Sequence, residues 1–178
     1  PIRMGFNPAE ELRFGAVQSW DEANPVLPES EYEEHDDFAA YMGPIRKQVN
    51  NNCTNAALAG QGQCVLNAIG EPAPLLSMSH LYAQYNGNRD AGAMCRDVAW
   101  GFKTGGLTTE VLWPSSQIYK PRGGFPAAVV EDAKTRTVLE IYQCLDWSHV
   151  ASALTRRFTV YHGFVLGQAF FNTGKDGK

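Results

Sequence analysis

The sequence predicts an α+β fold in which helices come first and strands follow. Residues 53 to 106 hold three segments with helical signals, while residues 137 to 167 hold two with the alternation of strands. No internal repeat interrupts that order. The chain has 178 residues, 44% of them hydrophobic and 11% aromatic. That suits one domain, or one and a fraction, hiding about 70% of the surface its unfolded form would expose.

Residues 1 to 42 carry Pro8, Pro25 and Pro28, many acids and little periodicity, and read as an extended acidic leader wrapped on the domain. The run ESEYEEHDD, 29 to 37, which includes His35, suits a solvated segment. A helical lobe is expected over 43 to 136. Its first helix is predicted from Cys53 to about Asn67, closed by Gly70 and Pro72. The second is SHLYAQYN, 79 to 86, stopped by Gly87. The third, GAMCRDVAWGFKTGG, sets Met94, Val98 and Phe102 at helical spacing and ends in paired glycines that suit a left-handed cap. LTTEVLWP then turns into an extended piece halted by Pro114.

Residues 137 to 178 are expected to begin a β lobe and to leave it incomplete. TVLEIYQC, 137 to 144, alternates and is rich in β-branched side chains. Asp146 can cap a short helix carrying Trp147, Val150 and Leu154. In RFTVYHGFVLG, 157 to 167, Phe158, Val160, His162, Phe164 and Leu166 share one face of a strand.

Composition excludes several functions. A net charge of −4 without clustered Lys and Arg argues against nucleic acid as a partner. No apolar run is long enough to span a bilayer, so no membrane partner is expected. The start, PIRMGFNPAEELRF, shows no secretory signal, which points to the cytoplasm or to packaging in a larger particle. Cys53, Cys64, Cys95 and Cys144 form no Cys-x-x-Cys pair and no disulfide framework, so reduced thiols are expected. GNRDAG lacks the phosphate-loop pattern, and Asp90 and Asp97 with Arg96 read as an exposed ion pair at a helix start.

The chemistry gathers at GPIRKQVNNNCTNAALAG, 43 to 60. A helix N-terminus presents unpaired N–H groups and about half a positive charge, which favours a thiolate over a thiol. Cys53 sits at such a terminus. Asn50, Asn51 and Asn52 can adopt a tight turn and cap the helix, and the small residues after Cys53 suit a thin helix buried among close neighbours. Gln48, with the Cys53 backbone N–H, could hold an oxyanion.

These residues resemble the active-site segment of papain-like cysteine peptidases, especially their bacterial and phage-borne branch. LLSMSHLYAQYNGNRDAGAMCRDVAWGFKTGGLTTEVLWP and VLEIYQCLDWSHVASALTRRFTVYHGFVLGQAFFNTG are similar to the stretches that follow in that branch, so the match covers roughly 38 to 174 in order. The resemblance implies the helical lobe of a papain-like fold with its central helix starting at the cysteine. It implies a thiol protease acting on peptides or proteins without metal or organic cofactor, with Cys53 as nucleophile and Gln48 as oxyanion donor. Two departures stand out. The interval from Gln48 to Cys53 is one residue shorter than the family's, and the family's catalytic His and orienting Asn lie downstream of FTVYHGFVLG, beyond Lys178. The triad is therefore expected to be incomplete here, with the base on a missing segment or another chain.

Within the chain, His149 in SHVASAL and His162 are the candidates for a base, although His162 also reads as a core histidine beside Phe158 and Phe164. His80 fits a surface or capping place. Cys64, Cys95 and Cys144 read as packing residues, and Trp100, Trp113 and Trp147 as core or lobe-interface aromatics. The alternative to the peptidase is a non-catalytic papain-like module that serves as an assembly component, for instance in a phage particle.

Overall fold

The computed structural model describes residues 18–33, 39–48, 50–71 and 74–161. His35, Pro72, His162 and the strand register from 162 onward lie outside them. Among the described residues six helices run in order: α1 (Trp20–Ala23), α2 (Cys53–Ala68), α3 (His80–Tyr85), α4 (Cys95–Gly105), α5 (Ala127–Lys134) and α6 (Trp147–Thr155), with 3₁₀ turns at Glu29–Glu31 and Ala39–Tyr41.

Helix α2 is the axis of the core. Its small side chains let Ala59 vanish from solvent and bring neighbours close. A methyl group at Gly62 would lie 3.0 Å from Leu76 Cδ1 and 3.2 Å from Phe102 Cζ, so the glycine is what lets α4 approach. Leu58, Leu81, Tyr82, Val98, Phe102 and Leu107 close the core around it. Burying each such side chain contributes about 1.5–3 kcal/mol.

Helix α4 ends at Gly106, with φ 78° and ψ −178°. Almost only glycine adopts that backbone. A Cβ there would also lie 1.8 Å from the Ala133 carbonyl oxygen, so the cap doubles as the place where α5 crosses. Asp132 of α5 accepts from Thr108 Oγ1 at 2.7 Å and the Thr109 N–H at 3.0 Å and pairs with Arg136 at 2.9 Å. Burial pushes its carboxyl up, but the bonds from Thr108, Arg136 and Thr109 outweigh this and hold it below the usual range.

Residues 18–33 pack against 142–158. Trp20, 1% exposed, meets the edges of Tyr142 and Phe158 with ring centres 5.8 and 5.1 Å away. Ser19 forms a parallel bridge with Gln143, and the Leu27 N–H donates to Ser152 Oγ at 2.9 Å.

The structure departs from the sequence expectations at several places. The expected strand over 137 to 144 is extended chain; its described pairing is the single bridge to Ser19, and Leu139 stands in solvent. Alternation had shown an extended path, but a strand also needs a neighbour to pair with. Helices α1 and α5 were not foreseen. Of the three tryptophans expected in the core or at a lobe interface, Trp113 is buried against Phe125, while Trp100 is 39% and Trp147 76% exposed. His80 is buried under the Phe125 ring, not on the surface. As the sequence predicts, α2 begins at Cys53, Gly106 caps α4 with positive φ, and Asp146 caps α6 by accepting from the His149 N–H at 3.1 Å. Among the described residues no helix is long and apolar enough to cross a membrane.

Candidate active site at the head of α2

Cys53 is half-buried at the first position of the 16-residue helix α2. The three asparagines before it do not work as expected. Asn52 occupies the N-cap position with φ −95° and ψ 25°, yet its side chain makes no capping bond. Instead its Nδ2 donates to the Met78 carbonyl and to Ser79 Oγ, both at 2.9 Å. Asn51 donates through its backbone N–H to Asp90 Oδ1 and through Nδ2 to the Asp90 carbonyl, again at 2.9 Å. Asn50 Nδ2 reaches the Ser115 carbonyl at 3.3 Å. Each asparagine therefore ties the turn to a segment distant in sequence.

The same 77–82 stretch holds the helix one turn further on. Asn55, fully buried, donates to the Ser77 carbonyl at 3.0 Å and accepts the Tyr82 N–H at 2.8 Å. Tyr82 O–H donates to Asp90 Oδ1 at 2.7 Å, and burial together with that bond pushes its phenol up to about 12. Ser79 Oγ donates to the Ser115 carbonyl at 2.7 Å; Ser115 in turn donates to both carboxyl oxygens of Glu110, which faces Arg46 at 3.6 Å. Tyr161 O–H donates to the Thr54 carbonyl at 2.9 Å, bringing the end of the described chain beside the residue that follows Cys53. Buried Asn52 Oδ1 and Thr54 Oγ1 on either side of the cysteine have no hydrogen-bond partner among the described residues.

Gln48 is exposed on the approach, and its Nε2 donates to the Asn50 carbonyl at 2.8 Å. That uses one of its two amide hydrogens. His149 is buried on α6, where Nδ1 accepts the Leu145 N–H at 3.4 Å and Nε2 lies 3.7 Å from Asp146 and 4.0 Å from Asp21. The structure gathers His149 with those two carboxylates, and no hydrogen bond joins it to Cys53. The other thiols are placed differently: burial pushes Cys64 up, and burial with the nearby Asp146 pushes Cys144 up.

A cavity of about 400 Å³ opens between α2, α4 and the stretches 136–144 and 158–161, lined by Leu58, Val65, Cys95, Trp100 and Cys144 among others. It touches neither Cys53, Gln48 nor His149. Among the described residues no three His, Cys, Asp or Glu side chains group as metal ligands would.

No protein-family model matches the chain, and no curated protein matches it by sequence. A solved structure does match: Xylellain, a cysteine protease from Xylella fastidiosa, superposes with a TM-score of 0.50 at 20% sequence identity, over 73% of this chain and 60% of that chain. The fold is papain-like. Helices α2 to α5 make up its helical lobe, with α2 central. At that identity the likeness is one of fold, and the match spans 60% of the length of that protease.

Asp90, Tyr82, Ser79 and the Arg46–Glu110 pair went unread in the sequence as parts of this site. Asp90 had been grouped with Arg96 and Asp97; Arg96 does lie 3.3 Å from Asp97, while Asp90 serves Asn51 and Tyr82. Hydrogen bonds between residues 27 to 39 positions apart leave no periodic trace.

Proposed function

We propose that this chain carries the nucleophile lobe of a papain-like cysteine peptidase. The observation that carries the reading is Cys53 at the head of the central helix of a papain-like lobe, in a turn whose three asparagines are fixed by other segments. In the reaction the Cys53 thiolate attacks a peptide carbonyl carbon; a C–S bond forms and the π electrons move to oxygen. The Cys53 N–H and the remaining Gln48 amide hydrogen receive that oxyanion. A histidinium supplied by another segment or a partner gives its proton to the amine as the C–N bond breaks. Water then attacks the thioester and returns a proton to the imidazole, and the C–S bond breaks to release acid and thiolate.

Alkylation of the full chain with iodoacetamide at pH 7 tests the nucleophile, because activated thiolates react faster than packed thiols. Cys53 is expected to be modified about tenfold or more faster than Cys64, Cys95 and Cys144. Equal slow labelling of all four defeats the reading. Substituting His149→Gln and His162→Gln separately, in a peptide-hydrolysis assay with the base-bearing segment or partner supplied, then asks whether either is the base; the proposal expects both variants to retain activity.

A second reading has its own support. No described imidazole is hydrogen-bonded to Cys53, and Leu139, Leu145, Trp147 and Phe158 leave apolar surface open on the second lobe. A non-catalytic module in a larger assembly, with another chain covering that face, accounts for both. It requires slow alkylation at Cys53 and a stable higher-order species in solution.

A further inference from the structure

We propose that Asp90 is a positioning residue for Cys53, acting through the Asn51 turn and the buried Tyr82; the inference rests on the peptidase reading above. Asn51 and Asn55 stand two residues before and two after Cys53. Both are tied to one pair of residues. Asp90 takes the Asn51 N–H at 2.9 Å and the Tyr82 O–H at 2.7 Å on the same oxygen, and its carbonyl takes Asn51 Nδ2 at 2.9 Å. Tyr82 returns to α2 by giving its backbone N–H to Asn55 Oδ1 at 2.8 Å. The ring Asn51–Asp90–Tyr82–Asn55 thus closes around the cysteine through four hydrogen bonds.

The chemistry of this ring suits orientation rather than bulk stability. Tyr82 is fully buried and its hydroxyl also accepts the Gly92 N–H at 3.2 Å, so the phenol is fixed before Asp90 meets it. Asp90 itself is exposed, and removing it opens no cavity. What its loss releases is the Asn51 peptide, and with it the direction of the first N–H groups of α2. Those groups receive the negative charge of a thiolate and of an oxyanion. The titratable groups on the bonded segments are His80, Tyr82 and Tyr85 of α3, Arg89 and Asp90 after it, and Tyr161 on the Thr54 carbonyl, with the Arg46–Glu110 pair beyond Ser115.

The test uses the alkylation rate of Cys53 by iodoacetamide at pH 7 in the full chain, with Cys95 as internal reference. Asp90→Ala is expected to lower the Cys53/Cys95 rate ratio about threefold to tenfold, the net worth of one hydrogen bond or a little more. Asp90→Asn should restore the ratio, since the amide oxygen still accepts from Tyr82 and Asn51. Tyr82→Phe, which keeps the buried ring, should lower it as well. If Asp90→Ala leaves the ratio unchanged, or raises both rates together as general loosening would, the positioning role is overturned while the nucleophile stands. If Cys53 in the unaltered protein reacts no faster than Cys95, the peptidase reading itself fails and the role falls with it.

Discussion

Two cysteines head helices in this lobe, Cys53 on α2 and Cys95 on α4, and their surroundings differ. Helix α2 has no acid in its first turn, whereas α4 places Asp97 there. The turn before Cys53 is bolted to Met78, Ser79, Asp90 and Ser115, while the residue before Cys95 is Met94, whose side chain makes no capping bond. A negative side chain in the first turn already takes up the favourable field of the helix end and repels a second anion. The same residue at the same helical position therefore has two settings. On the proposed reading, the helix head alone does not mark the nucleophile; the absence of an acid in the first turn and the anchoring of the turn before it separate Cys53 from Cys95.

That contrast can be broken at α4 first. Gly106→Ala would force a side chain into a backbone that only glycine tolerates and into the Ala133 carbonyl, so a loss of about 3 kcal/mol or more is expected in denaturant unfolding. On the α2 side, burial holds the imidazole of His80 down at about 4, against 6.5 for a solvated one, and the Asp132 charge offsets this in part. Between those values the unfolded chain binds a proton that the folded protein refuses. Stability is therefore full above about pH 6.5 and falls toward pH 4, by about 3 kcal/mol at most from this residue. Urea midpoints at pH 7 and pH 4.5 should draw together in His80→Gln. Asn55→Ala leaves the Tyr82 N–H without its acceptor in the core and should cost about 2 kcal/mol in thermal unfolding. The smallest effect sharpens the comparison itself. Asp97→Asn should speed alkylation of Cys95 about twofold to fivefold, the size of a first-turn charge effect, with Cys53 unmoved.

The parts of the fold legible in the sequence were those written in local chemistry. Gly106 announced the end of α4, Asp146 the start of α6, and the small-residue run after Cys53 the span of α2. Helix α1 is four residues long and is held by Tyr142 and Phe158, far along the chain, which no window around Trp20 contains. Helix α5 buries Val129 and Ala133 alone, too few apolar positions to set a period. At the site, Cys53 could be read because its place depends on its neighbours in sequence. The work of the asparagines could not, because each side chain is used across the fold rather than within its own turn.

The seam between the first and last described segments sets a timetable for synthesis. Leu27 is bonded to Ser152, 125 residues later, so the amino-terminal strap leaves the ribosome long before its anchor exists. At about 5–20 residues per second the delay is on the order of ten seconds. The cysteine-bearing helix and its neighbours can settle in that interval, and Trp20, made early, is among the last side chains to leave water.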